Sequence, residues 1–205
     1  MMDALSIMME AAELDLNHRI GERVRALRNG RGLSLEGLAQ KSGVSRSMLS
    51  VIERGQSSPT AIVLEKIASA LDVPLASLFE NPCPKAPDPL SRRAAQATWT
   101  DPASGYVRRN VSPDSVGSPI QIVEVDFPAR ATVAYENGAM RGTTVHQQVL
   151  VLAGRIDFTS GDTTYRLDAG DCVACTLDRP TAFHNPTAKP ARYLVVLTST
   201  ERPRP

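Results

Sequence analysis

The side chains best suited to chemistry fall in two groups. Arg46 and Arg54 stand among serines in the run SRSMLSVIERG, and a guanidinium offers a rigid fork of donors that fits phosphate oxygens or the edge of a guanine. Cys172 and Cys175 form a Cys-x-x-Cys spacing, which in other settings serves zinc binding or thiol redox work, and His146 and His184 carry imidazoles in the same half of the chain. Read on a strand, positions 172 and 175 leave opposite faces of the sheet, and no second cysteine pair exists to complete four ligands. Both cysteines are therefore expected to be small buried core residues.

The elements that must position these groups follow from punctuation and periodicity. Residues 80–93, ENPCPKAPDPLSRR, contain Pro82, Pro84, Pro87 and Pro89, which remove backbone donors and fix φ too often for a helix or a central strand. Before this stretch, Ile20, Val24 and Leu27, then Leu35, Leu38 and Ala39, then Leu49 and Ile52, then Ile62, Leu64, Ile67 and Leu71 recur at helical spacing. After it, short runs rich in Val, Ile, Thr and Tyr predict strands over 120–127, 131–135, 146–153, 155–159, 163–167, 172–176 and 192–198, with Ser160-Gly161-Asp162 as a hairpin turn. The implied organisation is an N-terminal leader over 1–16, a helical domain over 17–80, a Pro-rich linker over 81–93 and a strand domain over 94–205.

Composition sets outer bounds. At 205 residues with 42% apolar and 22% charged content, the chain has room for two small cores and is not disordered wholesale. A formal charge of +1 makes no global case for a polyanionic partner, but residues 17–80 alone hold nine Lys or Arg against six Asp or Glu. No segment approaches the roughly 20 apolar residues that span a bilayer. Asp3, Glu10, Glu13 and Asp15 stand where an export signal would be basic and then apolar, and three cysteines are too few for a disulfide scaffold. The expectation is a cytoplasmic protein with no membrane partner.

Residues 35–54 have the spacing of a helix-turn-helix, in which the second helix stays free to enter a groove of DNA. Ser34 can cap the first helix, Ala39 is small enough for close packing, Gly43 suits the left-handed turn, and Ser45 can cap the second helix. Val44, Leu49 and Ile52 then face inward, leaving Arg46, Ser47, Ser50, Val51 and Arg54 outward. The string LSLEGLAQKSGVSRSMLSVIERGQSSPT, followed by LEKIASALDVPLASLF, resembles the Cro/C1-type or XRE helix-turn-helix family. The resemblance implies a five-helix domain in which Arg46, Ser47, Ser50 and Val51 face base edges while Ser34, Gln40 and Arg54 approach phosphates, with Ser45 counted among the contact residues. It also implies that Arg28 pairs with Glu53.

The strand half, with Gly154, Gly161 and Gly170 at turns, resembles a cupin barrel, the double-stranded β-helix or jelly roll. Laid on that family's motifs, the metal-binding Glu falls on Gln147, the paired histidines fall near residues 141–143, and the later His falls on Thr181, with Asn185 at the next family position. None of these is a ligand residue, so the resemblance implies a barrel without metal or other cofactor. His146 should point away from Gln147 across its strand. Such a barrel can hold one small ligand, and the lining residues implied are Tyr135, Arg141, Gln147, Val149, Thr181 and Phe183, with Arg141 free to pair with a ligand carboxylate.

Together these readings describe a non-enzymatic transcription regulator that binds double-stranded operator DNA as a homodimer and senses a small-molecule effector. Two alternatives stay open at this point, a cupin used only for dimerisation and a metal-dependent cupin enzyme.

Overall fold

The structure is a computed structural model that describes residues 4–80, 88–113, 117–137 and 143–201. Among these residues four α-helices come first: α1 (Ala4–Gly30), α2 (Leu35–Ser42), α3 (Arg46–Glu53) and α4 (Ala61–Ala70). Each short helix starts on a hydroxyl cap. Ser34, Ser45 and Thr60 accept from the backbone N–H groups of Gly37, Met48 and Val63 respectively. Gly43 closes α2 at φ +68°, the left-handed geometry that turns the chain from α2 into α3. Leu16, Ile20 and Val24 of α1 bury against Leu49 and Ile52 of α3 and Leu64, Ile67 and Leu71 around α4.

The expectation of five α-helices needs correction. The fifth segment, Leu75–Phe79, is a 3-10 turn entered from Pro74, and the chain is extended again at Glu80. Five residues between a proline and an extended residue are too few to propagate an α-helix. The first helix also differs from its sequence periodicity, running from Ala4, well ahead of residue 17. Among the described residues no helix is long and apolar enough to cross a membrane.

Among its described residues the second half folds as ten strands in two antiparallel sheets. They are β1 (Thr98–Thr100), β2 (Val107–Asn110), β3 (Ile120–Phe127), β4 (Thr132–Tyr135), β5 (Thr143–Ala153), β6 (Arg155–Ser160), β7 (Thr163–Asp168), β8 (Cys172–Thr176), β9 (Thr181–His184) and β10 (Ala191–Glu201). The six-stranded sheet has the order β1-β2-β3-β10-β5-β8 and the four-stranded sheet the order β4-β9-β6-β7. Gly154 stands at φ +77° between β5 and β6, where an added Cβ would come within 2.9 Å of the Ala191 Cα. Only glycine fits there. Inward residues alternate along the strands, as in Val145, Gln147, Val149 and Val151 of β5 and Tyr193, Val195 and Leu197 of β10.

The two halves share one continuous core. An aromatic chain leaves the helical half at Phe79, meets Trp99 edge-on at 5.6 Å between ring centroids, and continues through Tyr106, Phe127 and Tyr193 to Phe183 in the barrel. Polar welds flank it. Asp101, only 2% exposed, accepts the Ala61 N–H at the start of α4, Asn110 donates to the Phe79 carbonyl, and Glu80 accepts from both Arg23 of α1 and Gln121 of β3.

Candidate functional site

Two features of this architecture can recognise something outside it. The first is the outer face of α3. Its inner residues Leu49 and Ile52 are buried, and Arg28 holds its C-terminal end through a two-pronged pair to Glu53, at 2.6 and 2.9 Å, while also donating to the Leu33 carbonyl. The Glu53 contact holds the Arg28 guanidinium pKa above its ordinary value. Arg46, Ser47 and Met48 are exposed on the first turn, and Ser50 and Val51 are half-buried behind them. Arg54 folds back along the helix, donating to the Ser50 hydroxyl and the Gln56 side chain, both at 2.8 Å. Ser45 spends its hydroxyl on the cap and on Ser47, while Ser34 and Gln40 lie exposed on and before α2. A short rigid helix with a cation at its exposed start and a second cation at its end has the dimensions and charge to enter a major groove.

The second feature is a cavity inside the barrel with about 790 Å³ of empty space, counting the part open to solvent. Its far wall is built from Tyr106, just before β2, and from Arg108, Tyr135, Gln147, Thr181 and Phe183 of the strands. Its near wall belongs to the helical half, where Glu65, Ala68 and Ser69 of α4 and residues 73–76 close over the opening. The Tyr106 and Tyr135 hydroxyls stand 3.0 Å apart, and the Asn137 amide donates to the Thr181 hydroxyl at 2.6 Å. Burial pushes the Tyr135 and Tyr193 phenols well above the usual phenol range, and that of Tyr106 upward, so all three keep their protons at neutral pH. Glu65 is raised as well, by burial and then by the nearby Glu136, against a hydrogen bond from the Asn137 backbone.

Known proteins match both halves of the chain. A helix-turn-helix family pattern matches residues 24–78, and a cupin domain pattern matches residues 131–197. The HTH-type transcriptional regulator SutR of Escherichia coli (strain K12) is 45% identical over 174 residues, covering 79% of this chain and 84% of that protein. The chain belongs to the XRE family of helix-turn-helix transcriptional regulators with a C-terminal cupin domain. The HTH-type transcriptional regulator PuuR of the same strain is 27% identical over 184 residues, covering 88% of this chain and 95% of its own. A crystal structure of an HTH_3 family transcriptional regulator from Vibrio cholerae matches with a TM-score of 0.70 at 25% identity, over 94% of this chain and 99% of the other.

In this XRE regulator two positions that the cupin resemblance places among metal ligands carry Gln147 and Thr181. The Gln147 amide faces the Cys175 sulfur at 3.8 Å and the Thr181 hydroxyl is held by Asn137, so neither offers the imidazole or carboxylate that iron or zinc needs. Among the described residues no three His, Cys, Asp or Glu side chains gather around one point. His146 is exposed on the opposite side of β5 from the buried Gln147, and His184 hydrogen-bonds Thr132 at 2.9 Å. Asn185 is fully buried and donates to the carbonyls of Phe127, Pro128 and Lys189, tying down the turn between β9 and β10.

The structure gathers Tyr135, Gln147, Thr181 and Phe183 around the cavity. Two expectations fare differently. Val149 is wholly buried but is not part of the lining, and Arg141 lies outside the described residues. The cysteines also need correction: Cys172 is exposed and Cys175 half-buried, with its thiol pKa pushed up by burial, because β8 is an edge strand with one open face.

Arg108 is the cavity residue that sequence reasoning missed. It lies on β2, a four-residue Val-Arg-Arg-Asn strand whose two charges disguise both the strand and its inward position. An odd-even reading of Tyr106 and Arg108 on one face was the available signal. Met48, exposed at 44% on the reading face of α3, was overlooked because methionine at that spacing reads as core.

Proposed function

We propose that this regulator binds operator DNA as a homodimer through α3 and senses a small effector in its metal-free barrel, acting in the cytoplasm and without enzymatic activity. On this reading Arg46, Ser47, Ser50 and Val51 meet base edges. Ser34, Gln40, Ser45 and Arg54 meet the backbone, with Arg54 released from Ser50 on binding. One domain of this size makes few contacts, and two related by a twofold axis would read half-sites about 34 Å apart.

The observation that carries the sensor reading is the double ownership of the cavity. Its far wall belongs to the barrel and its near wall to α4 and residues 73–76 of the DNA-binding half. A ligand there touches both halves at once, and can favour one arrangement of α4 over another by its differential contacts. A cupin serving only as a dimer clamp would have no use for such a wall.

The test begins with an operator selected from random duplexes, followed by sedimentation and anisotropy on the full chain. A dimer at micromolar concentration whose operator affinity shifts about 5- to 150-fold with a metabolite fraction supports the reading. A monomer, or an affinity indifferent to every compound that raises the melting temperature, sinks it.

A further inference from the structure

The cavity encloses a cation that makes no ion pair among the described residues. Arg108 is 7% exposed, and its Nε and Nη2 have no hydrogen-bond partner among the described residues. No ion pair among those residues includes it, and its charged or polarisable neighbours are the phenols of Tyr106, Tyr135 and Tyr193. The Phe79 ring centroid lies 4.6 Å from the guanidinium carbon, a favourable cation–π contact. Glu65, the other charged residue of the lining, sits on the α4 side and makes no ion pair with it.

A buried guanidinium with idle donors destabilises a fold, and a methionine would fill the same space without that cost. The idle pair matters chemically. Nε and Nη2 lie side by side on one edge of the fork, the arrangement that donates to two oxygens of one oxyanion. Beside them the Tyr106 and Tyr135 phenols stay protonated, and Val125, Phe183, Val195 and Leu197 supply an apolar surface in the same cavity.

We propose that Arg108 is the anchor of the effector site, and that the effector is a small organic acid. Its oxyanion group receives Nε and Nη2 of Arg108, and its apolar body lies against Val125, Phe183, Val195 and Leu197. The inference deepens the sensor reading and rests on it for the link to DNA, although the binding itself can be measured alone. The link has a direct route, since the guanidinium that meets the anion is the one lying on Phe79 of the helical half.

The experiment is calorimetry and thermal melting of the full chain with benzoate, benzenesulfonate and phenylphosphonate, which separate planar from tetrahedral oxyanions, against benzamide and benzylamine as neutral and cationic counterparts. At least one anion should bind about tenfold or more tightly than benzamide and benzylamine, and Arg108→Met should lose that preference. Arg166→Met, on the exposed face of β7, controls for overall charge and should keep it. Arg108→Met should also melt higher than the parent without ligand, and Arg108→Gln replaces it if the methionine variant does not fold.

The anchor is overturned if benzamide or benzylamine binds as tightly as the anions, or if the anions bind the Arg108 variants undiminished. Operator affinity, measured separately with and without the tightest anion, distinguishes the two readings. Anion binding through Arg108 with no change at the operator leaves the anchor standing and refutes the sensor. A neutral compound that shifts operator affinity and ignores Arg108 does the reverse.

Discussion

The face of α3 and the barrel cavity are built by opposite strategies. The reading face comes from one unbroken stretch of chain, in which a Ser cap, a left-handed glycine and three inward residues settle which side chains face out. The cavity is assembled from β2, β3, β4, β5, β9, β10, α4 and the loop after it, residues separated by more than a hundred positions. A surface made locally can change its readers one at a time without disturbing the fold. A cavity made from distant pieces couples every change to the elements behind it. The face of α3 can therefore be retuned cheaply, whereas the cavity depends on how the two halves dock.

The largest effect expected is on the local side. Arg28→Ala strands the Glu53 carboxylate, whose side chain is 7% exposed, and should cost about 3–5 kcal/mol in urea denaturation of the full chain. A loss below about 1 kcal/mol would mean the pair behaves as a surface bridge and the recognition helix is not held from behind.

Next in size is Arg46→Ala. It should weaken operator binding by about 1–3 kcal/mol and relax preference at one base pair. Arg54→Ala should weaken all sequences alike and lower the salt slope by about one unit. Identical loss of discrimination in both variants would erase the division between base and phosphate contacts.

The junction gives smaller effects. Asp101→Ala removes the acceptor for the Ala61 N–H and should cost about 0.5–2 kcal/mol, read by melting. It should also uncouple the halves, so that an effector raising the melting temperature no longer shifts operator affinity; unchanged coupling would show that α4 is not held through its N-terminus. The smallest effect belongs to Glu65→Gln. The folded-state pKa of Glu65 is raised, by burial first and then by Glu136, while Lys66 on its own helix acts the other way. Between the unfolded value, about 4.3, and the raised folded value the unfolded chain binds fewer protons, so the parent loses stability as pH rises through that window. Glu65→Gln should therefore melt slightly higher than the parent at pH 7 and show no advantage below pH 4. An advantage that persists in acid would point to packing instead of charge.

Much of the helical half was legible because its determinants are local. Ser34, Gly43 and Ser45 each act on backbone groups within four residues, and the inward set at Leu49 and Ile52 follows from helical period alone. Six strands beyond the linker were read within a few residues and β5 began earlier than expected, while β1, β2 and β9 were missed: three or four residues of Thr-Trp-Thr, Val-Arg-Arg-Asn or Thr-Ala-Phe-His carry too little alternation to stand out. The family positions of Tyr135, Gln147, Thr181 and Phe183 did reach the cavity.

By itself the sequence determined that a capped helix-turn-helix precedes a strand-rich domain, since caps, turn glycine and apolar period depend on residue type at short fixed spacings. Tertiary structure alone decided that Phe79 stacks into the barrel's aromatic chain, that α4 walls the cavity, and that Arg108 stands inside it with idle donors. The physical reason is that a charge's environment is set by everything folded around it. Pairing between strands far apart in the chain brings those neighbours together, and no periodicity within β2 records them.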